Sequence, residues 1–361
     1  MIGQLRLGGA ERQLSLLAAG LKKTKYSPLV IALSSDGDLY RRLREAEIET
    51  YVLPRRSSFD LFRVIGTVQI LRRRRPAIIH SFDFSGNIYG KLAGALAGTP
   101  VLIGGVRCAH ALPRKVALME KLLHPVTDAV ISNSVAGRES WALRTGFPRE
   151  RIFVVPNGLD ATEMRRPPGG FRPLREVLSI PEGEPIIGCV GSIYDLKNPL
   201  MFVEVATCLV RGGGDGRFVW IGDGPMRGEM EDAIRSRHLA GRVHLMGQRS
   251  DARWLARGFD VGILTSDSEG MPNAVMEYMF WGLPIVVTDA GDCPELIEHG
   301  RSGLVVEKGD TSSMARCIRA LLADPEWARA LGSRARKRVV EEFSSESMLS
   351  RTLSVYGTLL R

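Results

Sequence analysis

The stretch Asp260-Val261-Gly262-Ile263-Leu264-Thr265-Ser266, followed by Glu269-Gly270-Met271-Pro272-Asn273-Ala274-Val275-Met276-Glu277 and then Gly282-Leu283-Pro284-Ile285-Val286-Val287-Thr288, decides how this chain folds. Two short apolar runs flank a segment punctuated like a helix, so each run reads as a buried strand of a parallel sheet and the middle as its crossover. Pro272 suits the first helical position, where a missing N–H costs nothing. The amides of Asn273 and Ala274 would then point out of the helix end and offer an anion site. Glu269 belongs to the loop before this helix, and Glu277 lies about one and a half turns further on at ~1.5 Å rise per residue. Two carboxylates bordering a helix N-terminus suit a ligand with a charged phosphate and neutral hydroxyls on its flanks, which describes a nucleotide-sugar. The alternative is a solvated loop acid and an ordinary helix-face acid. Both acids follow the C-terminal end of a strand, where open α/β sheets bind their ligands.

The same alternation extends outward in both directions. Upstream, Leu29–Leu33, Ala77–His80, Val101–Ile103, Ala129–Ser132 and Ile152–Val155 read as strands separated by helical stretches. Downstream, Ile186–Val190, Arg217–Ile221, Val243–Leu245 and Gly303–Val306 join the two strands already named. Alternation of this kind implies parallel sheets, hence two doubly wound α/β domains. The predicted division is residues 1–160, residues 161–343, and a helix over residues 344–361 that crosses back to the first domain. The run Arg165-Arg166-Pro167-Pro168-Gly169-Gly170 sustains neither helix nor strand and marks the seam. Gly8-Gly9-Ala10-Glu11-Arg12 reads as a glycine turn opening a helix from Ala10 to Leu21. Only Met1 to Leu7 precede that turn, so a truncated, frayed first strand is expected.

With 361 residues, 44% of them hydrophobic and 25% charged, the chain has ordinary globular composition and a length that favours two or three domains. Cys108, Cys189, Cys208, Cys293 and Cys317 are scattered without C-x-x-C spacing, which argues against a disulfide framework or a zinc site. No apolar run reaches the ~20 residues that span a bilayer, and the opening residues lack the basic-then-apolar order of a secretory signal. A cytoplasmic protein is expected. The net charge of +9 is uneven: residues 1–160 carry 24 Lys and Arg against 13 Asp and Glu, and the rest 25 against 27. Its densest cluster, Arg72-Arg73-Arg74-Arg75, ends a helical apolar stripe and favours an anionic lipid surface. The same cations would also suit a helix C-terminus in solvent. Nucleic acid is the weaker partner, since no aromatic platform or zinc finger accompanies the charge.

These residues resemble the retaining glycosyltransferases of family 4, which have two Rossmann-like domains facing a cleft, the GT-B fold. The resemblance covers nearly the whole chain. It is carried by Gly8-Gly9-Ala10-Glu11-Arg12, Pro156-Asn157-Gly158-Leu159-Asp160, Val190-Gly191-Ser192 with Lys197-Asn198-Pro199, Gly222-Asp223-Gly224-Pro225, Glu269 with Glu277, and Asp289-Ala290-Gly291 leading to Glu295. It implies that Glu277 holds the ribose hydroxyls and Glu269 those of the donor sugar. Lys197, with Gly191, Ser192 and the amides of Asn273 and Ala274, would face the diphosphate, and Gly247, Gln248 and Arg249 the base. Gly8 and Gly9 would let backbone approach phosphate or acceptor, in a first-domain region that also includes Arg12, His80 and His110.

Two departures stand out. The family usually has an arginine where this chain has Ser192, and a histidine near the anomeric carbon where it has Arg107. Arg107 remains charged and cannot shuttle a proton. The expectation is a metal-independent hexosyltransferase that moves a sugar from a UDP- or GDP-sugar to a lipid-linked or polysaccharide acceptor. Cell-surface glycans such as lipopolysaccharide are the expected products, made at the inner face of the cytoplasmic membrane. No metal or other cofactor is expected. A nucleotide-sugar epimerase of the same fold, or a non-catalytic nucleotide-sugar or lipid-binding scaffold, is the alternative.

Overall fold

The computed structural model describes the chain apart from residues 7, 35–36, 55–59 and 110–111 and the side chain of residue 38. His110 therefore lies outside the described residues. Two compact units are present: Met1–Gly158 with Ser345–Arg361, and Leu159–Ser344. The division falls at Gly158, within two residues of the predicted boundary at 160 and ahead of the exposed run 165–170 read as the seam. Residues between them explain this: the Leu159 N–H donates to the Phe343 carbonyl (2.9 Å), and Trp254 Nε1 donates to the Met164 carbonyl (2.8 Å). Those bonds fasten the segment to the second unit before the prolines and glycines begin.

The first unit contains β1 (Leu29–Ala32), β2 (Glu49–Val52), β3 (Ile78–His80), β4 (Val101–Val106), β5 (Ala129–Ser132) and β6 (Ile152–Val154). β1 pairs with β2, and β3-β4-β5-β6 form a second sheet in that order, every pairing parallel. Residues 1–3 run between the two sheets. The Ile2 N–H donates to the Ile31 carbonyl (3.0 Å), the Ile2 carbonyl accepts from Leu33 (3.0 Å), and the Met1 carbonyl accepts from Phe82 (2.9 Å). The winding thus reverses beside residues 1–3, with β1 and β2 to one side and β3 to β6 to the other. β2 was not foreseen, because it is an edge strand whose four residues are all half-buried and show no apolar run. The helix Gly9–Lys22 buries Leu14, Leu17, Ala18 and Leu21, and the helix Ser345–Leu359 packs on it with Leu349 against Gly20.

The second unit holds β7 (Ile186–Val190), β8 (Arg217–Ile221), β9 (Val243–Leu245), β10 (Val261–Leu264), β11 (Ile285–Thr288) and β12 (Leu304–Val306). They form one parallel sheet in the order β12-β11-β10-β7-β8-β9. Its winding reverses between β7 and β10, and their C-terminal ends frame the switch point at which such sheets take ligands. The helix Asn273–Trp281 joins β10 to β11. Tyr278 fixes it: the buried ring fills the space a Cβ on Gly262 would contest (2.8 Å), and its hydroxyl accepts from the Val190 N–H (2.7 Å). Pro272 sits at the N-cap and Asn273 is the first helical residue, one position later than predicted. The extended backbone of Pro272 (φ −74°, ψ 115°) accounts for the difference. None of the five cysteines is in a disulfide.

Candidate functional site

Two loops meet at the switch point of the second unit. The loop after β7 carries Gly191, Ser192 and Lys197, and the loop after β10 carries Glu269. The Lys197 ammonium pairs with Glu269 Oε1, which also accepts from Ser266 Oγ at 2.6 Å. Hydrogen bonds to main-chain carbonyls stitch the loops in place. Thr265 Oγ1 donates to the Lys197 carbonyl (3.0 Å), the Asp267 N–H to the Leu196 carbonyl (2.9 Å), and Thr288 Oγ1 to the Ser266 carbonyl (2.6 Å). Asn198 adopts a left-handed conformation (φ 46°) and caps the helix Pro199–Arg211, accepting from the Met201 N–H (3.1 Å), so the lysine enters from a rigid turn. Gly291 (φ 55°) completes the support, because a Cβ there would lie 2.0 Å from the Glu269 carbonyl oxygen.

Burial by itself would depress the Lys197 pKa, but the Glu269 carboxylate, aided by Tyr194, outweighs it and holds the ammonium above the ordinary lysine range. Lys197 is therefore a permanent cation beside an acid only 8% exposed. Gly191 lies against the lysine stem, a Cβ there coming within 3.9 Å of Lys197 Cδ and Cε. Ser192 is exposed. Asn273 and Ala274 open their helix after Pro272, which makes no side-chain cap bond, and no acid stands in the first turn, so the positive end of the helix dipole favours an anion there. Glu277 is buried in the same helix at 6% exposure. Gly247 bridges Gly222, which brings the loop after β9 beside the loop after β8. Gln248 follows in that loop. Arg249 binds Asp251 through two bonds of 2.8 Å, so its guanidinium is committed within its own turn.

The first unit gathers a different group. His80 ends β3 and shares a 2.8 Å hydrogen bond between Nδ1 and the Tyr356 hydroxyl, while its ring lies 4.6 Å from that of Phe82. Arg107, just beyond β4, stacks over Phe82 at 4.3 Å and donates to Asn157 Oδ1 at 3.2 Å. Burial lowers the Arg107 pKa to about 10, with Tyr356 opposing, which leaves it charged near neutrality. Gly8 is the N-cap and Gly9 the first residue of the opening helix, followed by half-buried Arg12. The place a Cβ on Gly8 would occupy is 2.2 Å from Glu11 Oε2, so the helix's own buried carboxylate fills that end. A phosphate approaching Gly8 and Gly9 would meet an acid there. The sequence reading missed Ser266, Tyr356 and Gln13, whose amide clasps Gly158 through bonds of 2.9 and 2.8 Å. A polar pair closing an apolar strand was the available signal for Ser266; the others have no local signal.

Burial, with Arg107 adding to it, holds the His80 imidazole well below its ordinary range. Below the unfolded value of about 6.5 the unfolded chain binds a proton that the folded chain refuses. Stability is then full above about pH 6.5 and falls as pH drops, with a slope approaching about 1.4 kcal/mol per pH unit from this residue. Urea unfolding of wild type and His80→Gln across that range is expected to show the variant losing this part of the slope. Equal slopes would contradict the assignment.

The family model described as glycosyl transferases group 1 matches residues 184–324, and that described as Glycosyltransferase Family 4 matches residues 7–163. The chain is 26% identical to the 2-deoxystreptamine glucosyltransferase of Streptomyces kanamyceticus, over 80% of each chain. It is 25% identical to the UDP-Gal:alpha-D-GlcNAc-diphosphoundecaprenol alpha-1,3-galactosyltransferase of Escherichia coli, covering 82% of this chain and 79% of that one. Among solved structures, HepE of Anabaena in complex with UDP-glucose superposes with a TM-score of 0.85 at 19% identity, over 99% of both chains.

Proposed function

Since the chain belongs to the group 1, family 4 glycosyltransferases, and is an enzyme of that type with two Rossmann-like units of the GT-B fold, we propose that its second unit binds a nucleotide-sugar at the β7/β10 switch point. The observation that carries this reading is the buried Lys197–Glu269 pair in the loops that lead to the positive end of the helix Asn273–Trp281. In this reading Lys197 and the amides of Asn273 and Ala274 neutralise the diphosphate, Glu277 binds the ribose hydroxyls, and Gly247 and Gln248 border the base. Glu269 binds hydroxyls of the sugar while holding Lys197 in place.

The reaction retains anomeric configuration. The bond between the anomeric carbon and the phosphate oxygen breaks as the acceptor hydroxyl forms its new bond on the same face. The departing phosphate oxygen takes the hydroxyl proton, so no separate general base is needed. The fixed Lys197 cation and the helix end at the leaving group stabilise the charge that develops there. Arg107 stays protonated and acts electrostatically on the acceptor side, among His80, Phe82 and Asn157. No metal takes part in this scheme.

The acceptor is a lipid-linked or polysaccharide glycan, and the enzyme works against the inner face of the cytoplasmic membrane. Supporting this are the cationic surplus of residues 1–160 and the diphosphoundecaprenol-linked acceptor named for the Escherichia coli relative. No helix among the described residues is long and apolar enough to cross a membrane. The test incubates wild-type protein with a panel of UDP- and GDP-sugars, without and then with polyprenyl-diphosphate-linked saccharides, and reads nucleoside diphosphate release and product anomer by NMR. Release from one donor class with an α-product from an α-donor is expected. No release from any donor, or an inverted product, overturns the proposal.

A further inference from the structure

The helix Arg114–Leu122 is amphipathic the wrong way round. Its single acid, Glu120, is 1% exposed and pairs with Lys91, also 1% exposed, whereas Leu118 and Leu122 are 60% and 72% exposed. Helices on an α/β unit normally bury leucine and solvate glutamate. Taking an ion pair out of water is costly, and packed apolar residues are often as stable or more so, which means fold stability does not explain the choice. The inward face is already complete. Val116 and Ala117 pack on the cluster around Val106 and Trp141, and the Lys91–Glu120 pair fixes the helix's rotation. That rotation presents Leu118 and Leu122, four positions apart on one stripe, with Arg114, Lys115 and Lys121 exposed around them. No acid of this helix faces outward with them.

Resting on the reading that the acceptor is membrane-borne, we propose that this outward face seats on the anionic surface of a phospholipid bilayer. The leucines enter the acyl boundary and the three cations meet headgroup phosphates. Charge complementarity selects this occupant: leucines flanked on their own helix by cations alone match a negatively charged interface that is apolar just beneath. With two leucines and three cations on nine residues, binding is reversible, needs anionic lipid and weakens with salt.

The test is flotation of the full chain with phosphatidylcholine vesicles containing or lacking phosphatidylglycerol. Wild type is expected to float with the anionic vesicles and about tenfold less with neutral ones or at high salt. Leu118→Asp/Leu122→Asp and Arg114→Glu/Lys115→Glu should each lower bound protein about tenfold or more, with thermal unfolding unchanged because the altered side chains are exposed. Lys197→Ala should float like wild type, so vesicle binding and donor chemistry succeed or fail separately. Absence of wild-type flotation, or flotation indifferent to both double variants, overturns the proposal. It is equally overturned if the leucine variant instead dissolves a dimer in sedimentation velocity while vesicle binding persists, which would make the face an interface between two copies.

Discussion

Glu269→Gln and Lys197→Ala are each expected to lower kcat/KM for the nucleotide-sugar by about 10²–10³-fold, the usual effect of removing one charge-stabilising group from a buried site. The two act as a unit. Lys197 is 17% exposed and neutralised by a carboxylate that also accepts from Ser266, so either change leaves its partner's charge uncompensated. The double variant should therefore lose little more than either single one, and the deficit from additivity reads their coupling directly. Losses that simply multiply would mean that the two side chains contribute to different steps.

Lys91→Met is expected to cost about 3–5 kcal/mol of stability, because it strands the Glu120 carboxylate in the core. The site is tight as well as dry: a Cβ on Gly104 of β4 would lie 3.1 Å from Lys91 Nζ. Burial pulls the lysine below its ordinary range while Glu120 opposes that shift. Replacing both members, as Lys91→Met/Glu120→Leu, should recover most of the loss in urea denaturation. A single variant within about 1 kcal/mol of wild type would show that the pair does not set the helix's rotation.

How far the sequence could be read depended on whether a signal was local. Ile285-Val286-Val287-Thr288 and Val261-Gly262-Ile263-Leu264 are buried on both faces of their sheet, and such strands appear as unbroken apolar runs between glycine and proline. The α/β class, both doubly wound units and the helix after Glu269 followed from that. β2 did not, since an edge strand with half-buried residues carries no such run. The candidate site was legible as a set of residues but not as a set of contacts. Lys197 and Glu269 are 72 positions apart and meet because β10 lies beside β7, an adjacency that strand order determines and periodicity does not record. His80 and Tyr356, 276 positions apart, meet because the last helix returns to the first unit. Glu11 filling the turn at Gly8, and Glu120 facing inward, were hidden for a different reason: propensity places acids at helix starts and in solvent, and tertiary packing overrode it.

In the proposed reading a nucleoside diphosphate rests between Lys197 and the start of the helix Asn273–Trp281. Calorimetric titration of UDP and GDP into wild type and Lys197→Ala, with no acceptor and no vesicles present, measures that contact alone. One of the two nucleotides should bind wild type and bind the variant at least about tenfold more weakly, as the loss of a charge-assisted contact requires. Equal affinity for both proteins would place the diphosphate elsewhere and contradict the account.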